Sequence, residues 1–436
     1  MEGKRIDIKP EKEIEWLKLD NAAKLFPAIM SHELTSVFRI TAILKQPVKY
    51  SSIKKAVAIT SKRFPYFCVT LGTGLFWHYL EYNHQIPRIQ TEEEIPCTAF
   101  AAKRNNELLY RILIRKNRIS VEFIHILSDG AGAFEYLKSL LYTYFILEGR
   151  KISSAEGIIL PESPVKEEEY EDSYKRFFRK NLPPPMKLSK AWHLPFALNN
   201  KPRLRLLRSE IALDKLLEVT RMHKVTITEY VVSVYLFSLQ KIYLEEEQKG
   251  IKHKRRVLRT EVPVNLRKKF QSTTLRNFSL FVMPEIDLRL GVYSFEEILK
   301  KIHHFIQTET EVKQINRFLS QNVGHEKSIF IRIMPLFIKQ LVISATYHRL
   351  GSTRCSGIIT NLGAVTLPPE MEELVDSFEL IPTPPNNHVK VCCAMISFRN
   401  KLRLDFCNIT ESVELEREFL SHLTGDGIPV RILTYK

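Results

Sequence analysis

The sequence predicts an α/β protein built as two subdomains, and three observations carry that expectation. A chain of 436 residues exceeds what one hydrophobic core ordinarily organises, since single cores stop growing at roughly 250–300 residues. In both halves, stretches alternating apolar and polar residues are followed by stretches with apolar residues at helical spacing. Composition then shifts between residues 150 and 190, where Pro161, Pro164, Glu167-Glu168-Glu169 and Pro183-Pro184-Pro185 crowd together; such proline and charge runs are linker composition. The expected division is an N-terminal subdomain over residues 1–160, a linker over 161–190 and a C-terminal subdomain over 191–436. The acidic run at 167–169 reads as a solvated face.

With 44% hydrophobic and 26% charged residues the chain has the composition of a soluble globular protein. No run of about eighteen apolar residues occurs; the most apolar stretches are interrupted by Arg332 and Lys339, or by Thr228, Glu229 and Ser233. Met1-Glu2-Gly3-Lys4-Arg5 leads into charged sequence without the apolar core of a secretory signal, so a cytoplasmic protein without a transmembrane segment is expected. Six cysteines with no C-x-x-C pair are not a disulfide framework. His303 and His304 lie about 100° apart on a helix with no second ligand set near them, so no metal is expected. The formal charge of +16 attracts anions. The basic residues are spread and no nucleic-acid reader motif accompanies them, so the partners it fits are a phosphorylated small molecule, an acidic carrier protein or an anionic membrane face rather than nucleic acid.

Taken in order, residues 1–20 read as an extended lead-in, followed by a short helix over 21–26 that Pro27 would stop. Residues 35–44 alternate as a strand, and 51–60 form an amphipathic helix with Ser51 or Ser52 as its cap. An aromatic hairpin turns at Gly72-Thr73-Gly74, and a second hairpin pairs 107–114 with 118–127. A helix to near Gly149 closes the first half, and a helical segment over 170–180 interrupts the linker. In the second half, 203–211 and 255–264 read as strands, 213–223 as a helix, and 228–243 as a nearly all-apolar, hence buried, helix. A strand ending at Met283 precedes helices at 294–310 and 329–350, the latter kinked or split at Pro335. Residues 356–363 run as a strand into a turn, and 389–398 with 401–408 form a hairpin. A helix over 411–423 and a strand over 429–433 end the chain. Cys392 and Cys393, adjacent on a strand, face opposite sides.

The chemistry-bearing stretch is residues 118–134. Ile119, Val121, Phe123, His125 and Leu127 alternate with Ser120, Glu122, Ile124 and Ile126, the period of a strand; beyond it Phe134, Leu137, Leu141 and Tyr144 recur at helical spacing. An imidazole on the apolar face of a strand is either a satisfied core histidine, with Ser128 or Asp129 capping the next helix, or a functional base. Gly130-Ala131-Gly132 also invites a dinucleotide-binding loop, but Glu135 occupies the third glycine's place and would repel a pyrophosphate. The spacing His125-x-x-x-Asp129-Gly130 resembles the H-x-x-x-D-G signature of the CoA-dependent acyltransferase superfamily. That superfamily includes chloramphenicol acetyltransferase, alcohol acetyltransferases, plant acyltransferases, wax ester synthases and peptide-synthetase condensation domains. Phe64-Pro65 and Gly74-Leu75-Phe76-Trp77 are similar to the opening of its alcohol acetyltransferase-like members. Pro263-Val264-Asn265-Leu266-Arg267, followed by Asn277-Phe278, resembles its C-terminal signature, and Thr360-Asn361-Leu362-Gly363 its Ser-Asn-x-Gly turn. The pieces stand in the expected order, so the resemblance spans essentially the whole chain. Three departures stand out: Ile124 replaces a second histidine, Arg276 stands where many relatives have glycine, and Asp405-Phe406-Cys407 differs from the D-F-G-W-G of the plant enzymes.

The resemblance implies two chloramphenicol-acetyltransferase-like subdomains, mixed sheets flanked by helices, in a V-shaped pseudo-dimer with a shared tunnel. It implies transfer of an acyl group, in particular acetyl, from acyl-CoA as co-substrate to a small alcohol or an amine, with no bound cofactor. His125 would take the hydroxyl proton as the oxygen attacks, which a neutral imidazole does near pH 7. A thioester is already activated, so no Ser or Cys nucleophile is needed. Asp129 would be structural, ion-paired with Arg267 across the subdomains, and Gly130 would let the chain turn tightly and leave room at the tunnel. Asn361 or Thr360, and behind them Asn277, are the oxyanion or tunnel candidates. The positive charge would serve the phosphates of CoA. The rival reading is a condensation-type or non-catalytic module working with an acidic phosphopantetheinyl carrier protein.

Overall fold

The computed structural model describes residues 15–100 and 107–434; most of the expected lead-in, residues 1–14, lies outside them. Two sheets organise the chain. The first runs in the order Val375–Ile381, Val37–Leu44, Arg118–Ile124, Tyr110–Arg115, Ile89–Thr91, antiparallel except for its last pair. The second runs Ser279–Val282, Val257–Asn265, Gly357–Val365, Val391–Phe398, Lys401–Asn408, Arg205–Ala212, Val430–Leu433, with Glu285–Asp287 paired onto Val257–Asn265. Gly357–Val365 lies parallel to both of its neighbours. A small sheet of Trp16–Lys18, His78–Tyr82 and Val69–Thr73 stands beside the first.

Helices Tyr50–Arg63 and Gly130–Leu147 pack on each other, the latter also on the first sheet; Ile227–Gln248 packs on the second sheet and is flanked by Phe295–Glu309 and Glu414–Gly425. The second sheet is covered on both faces, which is why Val391–Phe398 reads as an unbroken apolar run. Its alternate residues enter different cores: Cys392 packs with the first subdomain's apolar residues and Cys393 with those of the second. All six cysteines are free and buried. Among the described residues no helix is long and apolar enough to cross a membrane.

Several local readings are corrected. Pro27 sits in the first turn of the helix Phe26–Ile29 instead of stopping one, because proline fits a first helical turn, where its missing N–H has no partner to lose. Neither Ser51 nor Ser52 caps Tyr50–Arg63; the capping position is Lys49, and Ser52 donates to Glu148. Pro335 splits the expected helix into Ile329–Ile333 and Leu336–Thr346, and an unexpected helix, Val312–Lys327, precedes them. Over 170–180 only Ser173–Arg176 is α-helical. The acidic run is not wholly solvated: Glu169 is buried, with Arg63 forked onto its two oxygens at 2.7 and 2.8 Å and the Tyr66 hydroxyl donating at 2.7 Å.

One strand does not respect the expected division. Val375–Ile381 comes from within 191–436 yet pairs with Val37–Leu44, so the second half of the chain completes the first sheet. It carries Glu379, 1% exposed, which binds Arg118 from the first sheet and Arg208 from the second. Burial alone would raise this carboxyl, but the two guanidinium groups outweigh it and hold it down at about 2. Glu379→Gln removes the charge that Arg118 and Arg208 share, although Arg118 keeps its contact with Glu92, and it should lower stability by up to about 3–5 kcal/mol, read as a lower urea midpoint. Because the folded carboxyl titrates below the ordinary glutamate value of about 4.3, its contribution is complete above that value and is lost as pH falls towards 2. A variant as stable as the parent at pH 7 would show that the crossing strand does not depend on this contact.

Candidate active site

The strand leading to His125 ends at Ile124, one residue short of it. The chain turns there: the Leu127 N–H donates to the Ile124 carbonyl (2.8 Å), while the His125 N–H still bonds the Ser36 carbonyl (2.9 Å). His125 therefore stands just past the end of the sheet, partly exposed, with its ring still on the apolar side, against Phe38. Its ring lies between two phenylalanines. Phe26 is stacked on it, centroids 5.2 Å apart and planes 15° apart, and Phe38 is tilted against it at 4.6 Å and 39°. Sequence reasoning missed both. Phe38 carried a signal, since it opens the strand that pairs with 118–124 and faces Phe123 in register; Phe26 arrives from a separate helix and carried none.

Burial holds the His125 imidazole below its ordinary value; the Asp129 charge, the Asn277 side chain and the Ser128 backbone pull upward without cancelling it. A depressed imidazole favours the neutral form at pH 7. Its own carbonyl accepts from Asn277 Nδ2 at 2.8 Å, and the same amide nitrogen donates to Asp20 at 3.1 Å. Both amide hydrogens of Asn277 are thus engaged, which places it behind the histidine as a positioning residue and leaves no donor for an oxyanion. Asp20 was read only as the end of the lead-in. It is fully buried, accepts also from the Ala23 N–H at 2.8 Å, and burial pushes its carboxyl up to about 6 against the pull of Arg276.

Asp129 is the N-cap of Gly130–Leu147 and accepts from the Gly132 N–H at 3.1 Å. Arg267 forks onto it, Nη2 to Oδ1 at 2.9 Å and Nη1 to Oδ2 at 3.0 Å, and the Phe278 N–H donates to Oδ2 at 2.9 Å. Burial would raise this carboxyl, but Arg267 and the two backbone donors outweigh it and hold it below the ordinary range. Arg267 also donates to the carbonyls of Thr274 (2.7 Å) and Arg276 (2.6 Å), shaping the loop that ends in Asn277. A closed path results: Asp129, Arg267, the loop, Asn277, and back to the His125 carbonyl.

The tight approach expected at Gly130 belongs to Gly132. Gly130 is not left-handed, and a Cβ there would meet only Leu362 Cδ1 at 3.3 Å, whereas a Cβ at Gly132 would fall 2.0 Å from the Leu275 carbonyl oxygen. Leu362 also shows that strand Gly357–Val365 reaches the turn. On that strand Ile358, Thr360 and Leu362 share a face by alternation, and Ile358 and Leu362 pack against the first core. Asn361 has one Nδ2 hydrogen on Thr228 Oγ1 at 2.9 Å, and its Oδ1 accepts the Gly363 N–H at 2.8 Å. Of the two candidates, Thr360 is the one on the side of the first subdomain. Among the described residues no group of His, Cys, Asp or Glu is arranged to hold a metal ion.

No family model matches the chain, and no curated protein matches it. Solved structures do. Trichothecene 15-O-acetyltransferase TRI3 of Fusarium sporotrichioides superposes with a TM-score of 0.58 at 11% identity, covering 96% of this chain and 98% of that one. F. sporotrichioides TRI101, complexed with coenzyme A and T-2, gives 0.63 at 9%, covering 96% and 99%. The first condensation domain of the CDA synthetase gives 0.57 at 13%, again covering 96% and 99%. The chain has the fold that these acyltransferases and condensation domains share. It is two acetyltransferase-like subdomains, mixed sheets flanked by helices, brought together at His125 and Asp129.

Two tests follow from this geometry. Asp129→Ala and Arg267→Ala each leave a buried charge unpaired and should each cost about 3–5 kcal/mol. The double variant should lose less than the two singles summed; additive losses in urea unfolding would mean that the pair is not coupled. Gly132→Ala should cost about 1–3 kcal/mol or more through overpacking against Leu275, while Gly130→Ala, facing only the end of a leucine, should be nearly neutral. The reverse order would show that the turn has been placed one glycine too late.

Proposed function

We propose that the chain is an acyltransferase that moves an acyl group, in particular acetyl, from acyl-CoA to the hydroxyl of a small alcohol. The observation that carries this reading is the placement of His125: partly exposed just past the end of the first sheet, held by two aromatic rings and a fixed main chain, with burial depressing its imidazole. In the step proposed, the alcohol oxygen attacks the thioester carbonyl as the imidazole takes its proton. The tetrahedral intermediate then expels the CoA thiolate, which recovers the proton from the imidazolium. No covalent enzyme intermediate is called for, and the thiols are unsuited to one; burial pushes Cys68 up to about 12 and raises the other five. The Thr360 hydroxyl is the side chain proposed to meet the developing oxyanion. The fold shared with TRI101, crystallised with coenzyme A, supports CoA as the donor. The fold shared with a condensation domain keeps a carrier-bound thioester as the second reading.

His125→Ala should lower kcat by about two to four decades with an unchanged thermal unfolding curve. Since the active form is the neutral ring and its value is depressed, kcat/KM should climb along an acid limb centred below about 6.5 and stay flat from there through neutrality. An acid limb centred above that value, or full activity without His125, would remove it as the base. Acetyl-CoA assayed beside an acetylated phosphopantetheinyl carrier protein separates the two donors; turnover of the carrier alone would overturn the CoA reading.

A further inference from the structure

Helix Leu336–Thr346 is turned inside out. Its inner side holds Leu336 and Ile343 but also Lys339, 2% exposed, and Gln340; its outer side holds Phe337 at 66%, Leu341 at 68%, Ile338 and Val342. A helix on a water-facing surface has the opposite distribution. The arrangement is fixed by specific bonds: Lys339 Nζ donates to the carbonyls of Phe76 (2.8 Å) and Arg332 (3.3 Å) and lies 3.6 Å from the Trp77 ring centroid. Gln340 Nε2 meets His78 Nε2 at 2.8 Å, and the Leu336 N–H donates to the Leu75 carbonyl at 2.9 Å. The hairpin of the small sheet thus grips the polar side of the helix and leaves the apolar side outward. The preceding helix continues that surface with Phe330 at 75%, and the hairpin tip adds Leu75 at 73%. Exposed apolar area of this extent, drawn from three segments, marks an interaction surface.

Charge selects the occupant. Apart from the buried Lys339, residues 312–354 contain six Lys or Arg against a single acid, Glu326, and that acid is already paired with Lys24 and Lys175. A second copy of the chain docking face to face would bring one basic rim against another. An anionic bilayer accepts both the apolar face and the basic rim. We propose that helices Ile329–Ile333 and Leu336–Thr346, with the Leu75 hairpin tip, seat the protein on an anionic lipid surface, lying in the interface and not crossing it. The inner side of Leu336–Thr346 packs on Phe26–Ile29, the helix whose Phe26 stacks on His125, so the seated face lies one helix away from the candidate base.

The test is flotation of the whole chain with vesicles of phosphatidylcholine and phosphatidylglycerol, beside vesicles of phosphatidylcholine alone, and needs no catalytic assay. The protein should float with the anionic vesicles, sediment with the neutral ones, and be released by high salt. Replacing Phe330, Phe337 and Leu341 together by serine should weaken partitioning about tenfold or more, each side chain contributing several buried CH₂ equivalents, while melting temperature and activity on a water-soluble alcohol stay as in the parent. Absence of flotation with anionic vesicles would overturn the proposal. So would a dimer in solution that the triple variant turns into a monomer while flotation is unchanged, because the face would then belong to a second copy.

Discussion

The Asp129 carboxylate is the constraint from which the site's geometry follows. A buried carboxylate without partners is costly, and Asp129 meets that cost with four donors: one helix N-terminus, two arms of Arg267 and the Phe278 N–H. Three of the four come from beyond residue 260, so the charge can be satisfied only when the two halves of the chain have come together. Arg267, once held, has donors left over for the carbonyls of Thr274 and Arg276, and the loop they order delivers Asn277 to the carbonyl of His125. The position of the imidazole is in this sense a by-product of neutralising a neighbouring charge.

Glu379 does for the sheets what Asp129 does for the loops. It sits on the strand that crosses from the second half into the first sheet, between an arginine of each sheet. Ion pairs of this kind do not outdo apolar packing in net stability, because desolvation consumes most of their Coulomb energy. What they impose is geometry, since a guanidinium fork accepts few arrangements and a slipped strand would take a buried carboxylate away from both of its arginines. Two buried carboxylates, each reached from both halves, therefore fix the relative placement on which a site between them depends.

What was legible in the sequence was local. Hairpin 391–408 and helix 130–147 follow from period and turn chemistry, and His125, Asp129, Arg267 and Asn277 were found because their spacing resembles known signatures. What was not legible depends on distant partners. Val375–Ile381 was overlooked because Asp376 and Glu379 break its apolar pattern, and Glu379 is buried only by virtue of arginines at 118 and 208. The sequence shows Glu169 only as part of an acidic run for the same reason, its partners Arg63 and Tyr66 lying some hundred positions away. Gly130 and Gly132 cannot be told apart by spacing, since the carbonyl that excludes a side chain at Gly132 belongs to Leu275.

The surroundings of His125 differ in kind from one side to the other. On one side stand Asp129, Arg267 and Asn277, linked by charge-assisted and amide hydrogen bonds whose geometry is narrow. On the other stands Phe26, on a helix of four residues with no side-chain cap, backed by the apolar half of Leu336–Thr346's inner side. Stacking and aliphatic contact are tolerant of small displacements in a way that a forked ion pair is not. The imidazole is therefore anchored through its main chain on the rigid side, while the aromatic cover over its ring lies on the adaptable side. A molecule approaching the ring past Phe26 would meet the part of the site able to yield without disturbing the hydrogen bonds that hold the imidazole.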